Sequence, residues 1–316
     1  MAELVAHFQS AADVLDQWRD DVLTGKPPVL YPIGEGAIAR IEIGPKLVTL
    51  VGGAPGAGKT AFTMQALIDA LRLTPSLRGV VCNIEMPPEV LLDRQLARLS
   101  GVDLTTIRYR RLGAEHADRI NLALNTLEGV ADRLCFVRPP FDLDNVAATV
   151  DGFEGDMILL DYIQRIPPPG EHADKRGAVD ATMNFLRQFA DNGVAVVVVA
   201  AVSRTKDSKG RSSYDGGGLN LASFRESSEL EFGADDAFIL VNDPKSNERV
   251  ILRHLKARHT DAVDLTLRFD RSIQRFTPTG GGSTRDSSKR QVPAALRRAW
   301  ESIPAADDAA VGDDRA

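Results

Sequence analysis

The chain has 316 residues, 43% of them hydrophobic and 26% charged, with a formal net charge of −6. This composition excludes whole-chain disorder and supplies enough apolar side chain for one large core or two modest ones. The negative charge excludes a surface coated in cations for nucleic acid, yet leaves room for a local basic channel.

No stretch reaches the roughly 18 unbroken apolar residues of a membrane span, and the opening MAELVAHFQSAADVLDQW carries acids where a secretory signal needs a basic and then an apolar run. Cys82 and Cys135 lie too far apart in sequence to suggest a disulfide framework or a zinc site, and the five histidines show no metal-ligand spacing. A protein of a reducing cytoplasm, with no membrane partner, is expected.

In chain order, the first expected element is a helix within residues 1–26. Apolar side chains at Leu4, Phe8, Ala11, Leu15, Trp18 and Val22 draw a narrow stripe on one helical face. Such a stripe needs a cover, either its own domain or a neighbouring subunit. Lys26-Pro27-Pro28 is expected to end the helix, because proline lacks the amide proton and restricts the residue before it. Apolar runs over 47–51, 79–84, 134–137, 157–160, 194–200 and 237–241 read as strands, with helical patterns over 60–73, 88–99 and 179–191. Near-continuous runs such as VAVVVVA suit strands buried on both faces, so the expected fold class is α/β, a mostly parallel central sheet flanked by helices. Residues 249–255 and 262–269 read as a closing antiparallel pair. The main domain is thus expected over 27–278, followed by a Gly/Ser-rich and then acidic tail, 279–316, disordered but for one short helix at 294–303.

The most specific local pattern is Gly53-Ala54-Pro55-Gly56-Ala57-Gly58-Lys59-Thr60, which satisfies G-x-x-x-x-G-K-[ST] between an expected strand and an expected helix that opens at Thr60-Ala61. Its glycines let backbone amides wrap phosphates and the helix N-terminus adds positive potential. Lys59 is placed to neutralise the β/γ-phosphates and the Thr60 hydroxyl to bind Mg²⁺, which points to ATP and Mg²⁺. Hydrolysis needs a second acid on the metal and a base for the water. Asp161 ends the run MILLD, where it is either that acid or a strand-end turn residue. Glu85 ends VVCNIE and reaches the same sheet edge, where it is a candidate base but ambiguous alone.

Several of these segments together resemble the RecA-like C-terminal ATPase domain of DnaB-type replicative DNA helicases, the superfamily 4 ring helicases. Asn83-Ile84-Glu85-Met86-Pro87 resembles the family's S-L-E-M segment, and Met157–Asp161 with Tyr162-Ile163-Gln164 resembles its Walker B strand ending D-Y-L-Q. Phe224–Glu231 followed by Ala234-Asp235-Asp236 resembles R-E-S-G-x-I-E-x-x-A-D, and Leu255–His259 resembles K-x-R-N. The resemblance implies a RecA-like P-loop NTPase fold, with residues 1–26 as a linker helix that packs on the adjacent subunit. It implies that Glu85 is the catalytic glutamate, and that Arg258, with Lys256 beside it, is an arginine finger reaching into a neighbour's ATP. It also implies that Arg225, Glu226 and the backbone near Ser228 track single-stranded DNA, with Lys175 and Arg176 on another channel-facing loop. Without the resemblance, RHLKARH reads equally as a basic strand with a solvated face.

Three segments depart from the family pattern. The glutamine of S-Q-L-x-R is Ala201, the glycine of R-E-S-G is Ser228, and G-P-T-G reads Thr260-Asp261-Ala262-Val263. No N-terminal helical domain, with which full-length members contact primase, is expected. The expected function is an ATP-dependent helicase that translocates on single-stranded DNA as a ring, a hexamer, in DNA replication, with a primase or loader as protein partner. The alternative is a RecA/KaiC-like DNA-binding or regulatory ATPase that uses hydrolysis as an assembly switch.

Overall fold

The computed structural model describes residues 9–168, 175–202, 205–206, 212–213, 219, 221–224, 232–244 and 246–279. Beyond Thr279 the expected tail and its short helix lie outside the described residues, as do Leu4 and Phe8 of the first stripe. Among the described residues no helix is long and apolar enough to cross a membrane.

Helix α1 spans Ala11–Thr24 and starts at a reciprocal cap: Ser10 Oγ accepts from the Asp13 amide at 3.2 Å, and Asp13 accepts from the Ser10 amide at 2.8 Å. It ends at Gly25, in the left-handed region at φ 68°, before the prolines are reached. The expected stop at Lys26-Pro27-Pro28 is therefore corrected: a glycine cap terminates the helix, and the prolines only prevent its resumption. Val14, Leu15, Trp18 and Val22 are all exposed, Trp18 by 54%.

A second unit begins at Leu30. It alternates β1 (Val48–Gly53), α2 (Lys59–Leu73), β2 (Gly79–Asn83), α3 (Pro88–Ser100), α4 (Leu104–Arg108), α5 (Ala117–Ala131), β3 (Leu134–Phe136), α6 (Leu143–Phe153), β4 (Met157–Asp161), α7 (Lys175–Asp191) and β5 (Ala195–Ala201). The short pair β6 (Thr205–Lys206) and β7 (Ser212–Ser213) forms a separate ribbon. Strands β8 (Asp236–Asn242), β9 (Arg249–Ala257), β10 (Leu265–Asp270) and β11 (Arg275–Pro278) complete the order.

The main sheet has nine strands in the order β11-β10-β9-β8-β1-β5-β4-β2-β3. Its pairs from β8 through β3 are parallel, and β9, β10 and β11 extend it by antiparallel pairing. The mostly parallel sheet and the closing pair agree with expectation; β11 and the helices over 104–153 go beyond it.

Alternating residues feed two cores, because successive side chains of a strand point to opposite faces. Val51, Val81, Leu159, Val197 and Leu240 pack with Met64, Leu67, Ile68 and Leu71 of α2, whereas Leu50, Val80, Ile158, Val198 and Ile239 pack with Val146 of α6 and Met183 and Leu186 of α7. Both sheet faces are covered, so the carboxyl ends of the parallel strands are left to carry the chemistry.

Cys82 sits in the second core, where burial pushes its thiol up to about 12, and burial raises Cys135 in the same direction. At a pH of about 8 the native chain is expected to alkylate slowly at both cysteines, and at both readily once unfolded. Fast native labelling of Cys82 would contradict its place in the core.

Candidate nucleotide site

Strand β1 is buried throughout, so VTLVGG ends at the carboxyl edge with Gly53, and the loop Ala54–Ala57 passes the chain to α2. Gly58 precedes α2 at φ 92°, and a β-carbon there would lie 2.7 Å from Phe269 and 2.8 Å from Phe276, whose rings stack beneath the loop at 4.1 Å. Only glycine fits both the backbone and the space. Lys59 Nζ donates to the carbonyls of Gly53 at 2.9 Å and Ala54 at 3.1 Å. Burial lowers its pKa, while the nearby carboxylates of Asp161 and Glu85 act in the opposite direction.

Thr60 Oγ1 donates to Asp161 Oδ2 at 2.5 Å, bringing together the two expected metal ligands from α2 and β4. Asp161 is 2% exposed, and burial raises its pKa against the opposing Thr60 hydrogen bond. Both ligands offer oxygen, as Mg²⁺ prefers, so the residues present fit that ion.

Register explains a residue that sequence reading left without a role. In the β2–β4 pairing Asn83 faces Asp161, and Asn83 Nδ2 donates to Asp161 Oδ2 at 3.0 Å. Asn83 Oδ1 meanwhile accepts from the amides of Glu85 at 3.0 Å and Met86 at 2.8 Å. One buried amide thus fastens the turn carrying Glu85 to the carboxylate of Asp161. Asn83→Ala is expected to lower the turnover number for ATP by about tenfold while leaving ATP affinity within about twofold, as a support removed from behind the acting groups. Steady-state kinetics check this, and an unchanged turnover number would remove the positioning role.

These groups share a cavity of about 540 Å³, lined by Gly56, Lys59, Thr60, Glu85 and Asp161 and also by Arg94, Ala201, Phe269, Arg271 and Gln274. Pro55 and Gly58 of the loop and Ala61 of α2 also line it, with Met86 and Tyr162. Arg94 was missed in the sequence; its signal was a charge on the face of α3 that also carries the buried residues Leu91, Gln95 and Arg98. Burial lowers the pKa of Arg94, and its Nε has no hydrogen-bond partner among the described residues. A half-buried cation with an unpartnered Nε, lining the same cavity as Lys59, suits an anionic ligand. Ala201, where a glutamine was expected, is held by Gln164, whose side chain accepts from the Ala201 amide at 3.1 Å and donates to its carbonyl at 3.3 Å.

Lys256 and Arg258 follow on β9 and just beyond it, and among the described residues neither lines this cavity. Arg258 Nη1 lies 2.7 Å from Asp235 Oδ1, while the Lys256 ammonium donates to the Phe232 carbonyl at 3.2 Å. His254 pins the strand below them: its Nδ1 accepts from the Val263 amide at 3.3 Å, and its Nε2 lies 2.8 Å from Asp236 Oδ1. The expected DNA-tracking residues Arg225, Glu226 and Ser228 lie outside the described residues. Lys175 and Arg176 open α7, and their side chains are likewise outside them.

A model of the DnaB-like helicase C terminal domain matches residues 43–278. Two proteins called "Replicative DNA helicase DnaB", from Pasteurella multocida (strain Pm70) and from Haemophilus influenzae, are each 26% identical over 219 residues, or 65% of this chain and 44% of theirs. The chain therefore spans less than half the length of these relatives. Among solved structures, an ATPase domain superposes with a TM-score of 0.73 at 15% identity, covering 87% of this chain and 100% of that one. A DnaB-like replicative helicase, solved in a study of its interactions with primase, superposes with a TM-score of 0.74 at 15% identity, covering 86% of this chain and 69% of that one. These superpositions show a shared RecA-like fold.

Proposed function

Because the chain belongs to the DnaB-like helicase C-terminal domain family, we propose that it hydrolyses Mg-ATP between subunits of a ring, a hexamer, and translocates on single-stranded DNA. The observation that carries this reading is the convergence of Lys59, Thr60, Asp161 and Glu85 on one cavity, while Lys256 and Arg258 stand apart from it. A site furnished with loop, acids and base, from which Lys256 and Arg258 stand apart among the described residues, is suited to completion by another copy. Thr60 and Asp161 would hold Mg²⁺, whose charge offsets that developing on the transferring phosphoryl group. Lys59, with Arg94 nearby, neutralises the β/γ-phosphates; Glu85, its turn fixed by Asn83, orients a water and takes its proton. Arg258 of the next subunit stabilises the charge on the γ-phosphate and makes turnover conditional on assembly.

The exposed stripe of α1 is assigned to the face of a neighbouring copy, and a ring repeats any channel-facing cation in each subunit, so an acidic protein can still line a basic channel. A primase or a loader is the proposed protein partner, in the cytoplasm. A second reading, an ATPase switch that never separates strands, is favoured by Ala201: position 201 itself carries no polar side chain to report nucleotide state to DNA, and the neighbouring Gln164 amide is engaged by the Ala201 backbone.

ATP-dependent strand separation on a forked DNA with a free 5′ tail tests the two, with the Lys59→Ala protein as the blank. Unwinding by the unaltered chain alone supports the motor. Hydrolysis without unwinding rejects the motor in favour of the switch.

A further inference from the structure

Strand β9 changes face just before the cations assigned to the finger. Val250 and Leu252 belong to the core that packs on α2, and His254, the next in that alternation, lies opposite Phe238 of the same core. Unbroken alternation would send Lys256 and Arg258 to that face as well. The register instead slips between Ala237 and Phe238, so Lys256 lies opposite Ala237, a residue of the core beneath α7. Leu255, the extra residue, packs on that core too. A one-residue bulge therefore turns Lys256 and Arg258 to the α7 face, where Arg258 meets Asp235.

His254 is the last residue before the slip, and its ring reaches across it. The ring stacks on Phe238 with centroids 4.2 Å apart and planes 22° from parallel. Nδ1 accepts from the Val263 amide at 3.3 Å, so the ring proton belongs to Nε2, which donates to Asp236 Oδ1 at 2.8 Å. Asp236 pairs with Ala257, on the far side of the bulge. The two side chains are only 6% and 5% exposed, so this tie is sheltered from water.

We propose that His254 is a positioning residue for the finger, spanning the bulge and holding Lys256 and Arg258 on the α7 face. The proposal rests on reading Arg258 as a finger that serves a neighbouring copy. Among the described residues His254 does not line the nucleotide cavity, so it acts through the strand and not on the phosphates. An apolar side chain at 254 would also pack on Phe238, but it would leave the slip without its tie to Asp236. The finger would then lose its aim while the site in the same chain stayed whole.

The test compares His254→Asn, whose amide is too short to reach Asp236, with His254→Gln, whose Nε2 can still donate to it, by steady-state ATP hydrolysis and Mg-ATP titration of the full chain. His254→Asn is expected to lower the turnover number by about 10–100-fold, the scale of a misplaced catalytic group, with Mg-ATP affinity within about twofold. His254→Gln is expected to regain most of that turnover. Mixing His254→Asn chains with Glu85→Gln chains, which keep the finger and lack the base, is expected to raise turnover above that of either protein alone. A general loss of structure would weaken Mg-ATP binding and would not be rescued by mixing. Should His254→Asn not fold, Asp236→Asn weakens the same tie with an acceptor left in place and is read by the same measurements. Unchanged turnover in His254→Asn, no gain with His254→Gln, or no rescue on mixing where Arg258→Ala chains are rescued overturns the positioning role and leaves the finger reading standing. Full turnover by Arg258→Ala chains overturns the finger and its positioning residue together.

Discussion

Replacing Lys59 by alanine is expected to abolish ATP hydrolysis, a loss of at least about 10²–10³-fold, without unfolding the chain. Among the described residues the ammonium's hydrogen bonds go to the carbonyls of Gly53 and Ala54, both at the start of the loop. Its removal leaves two acceptors unpaired at a site open to solvent, a cost of about 1 kcal/mol. The glycine conformation and the Phe269–Phe276 stack that shape the loop do not depend on it. Thermal unfolding should therefore shift by only about 2–4 °C. Hydrolysis at the unaltered rate by a folded Lys59→Ala protein would remove this cavity as the reaction site.

Arg258→Ala is expected to spare ATP binding and to lower turnover by about 10³-fold, the effect of a cation that acts on the transferring phosphoryl group. Within one chain Arg258 rests on Asp235, which is 1% exposed. Asp235 is already held by Arg187 at 2.7 Å and by the Val48 amide at 2.8 Å, so it stays paired when Arg258 is cut back. That separates the functional loss from a folding defect, because an unpaired buried carboxylate would cost several kcal/mol whereas this one retains two partners. ATP affinity measured beside turnover distinguishes the roles: equal loss in both would make Arg258 a binding group, and unchanged turnover would move the finger elsewhere.

How far these groups could be found in the sequence depended on whether their role was local. The placement of the Gly53–Thr60 loop was legible, because its glycines, Lys59 and Thr60 lie in one continuous turn between a strand and a helix. Asp161 and Glu85 were legible as acids that end apolar runs, since a buried parallel strand delivers its last residue to the carboxyl edge. Asn83 was not, because its importance arises from a register in which β2 and β4 are neighbours, a pairing between residues 78 positions apart. Arg271 depends likewise on a hairpin folding back over Gly56, 215 positions away. The helices over 104–131 escaped the periodic pattern because Leu122 and Leu124 of α5 are exposed by 70% and 46%, which blurs the apolar face. The end of α1 falls before Lys26-Pro27-Pro28 because Gly25 comes first and adopts the left-handed cap, a local backbone freedom that the prolines' stronger pattern does not reveal.

The most direct test of the proposed completion between subunits is mixing two proteins that are each expected to be inactive. Glu85→Gln chains keep Arg258 but lack the base, and Arg258→Ala chains keep the loop, Asp161 and Glu85 but lack the finger. Mixed assemblies place some Glu85→Gln fingers beside intact Arg258→Ala sites, so turnover is expected to rise well above that of either protein alone. Mixed rings that stay as inactive as their parents would contradict completion in trans, as would full turnover by Arg258→Ala chains alone.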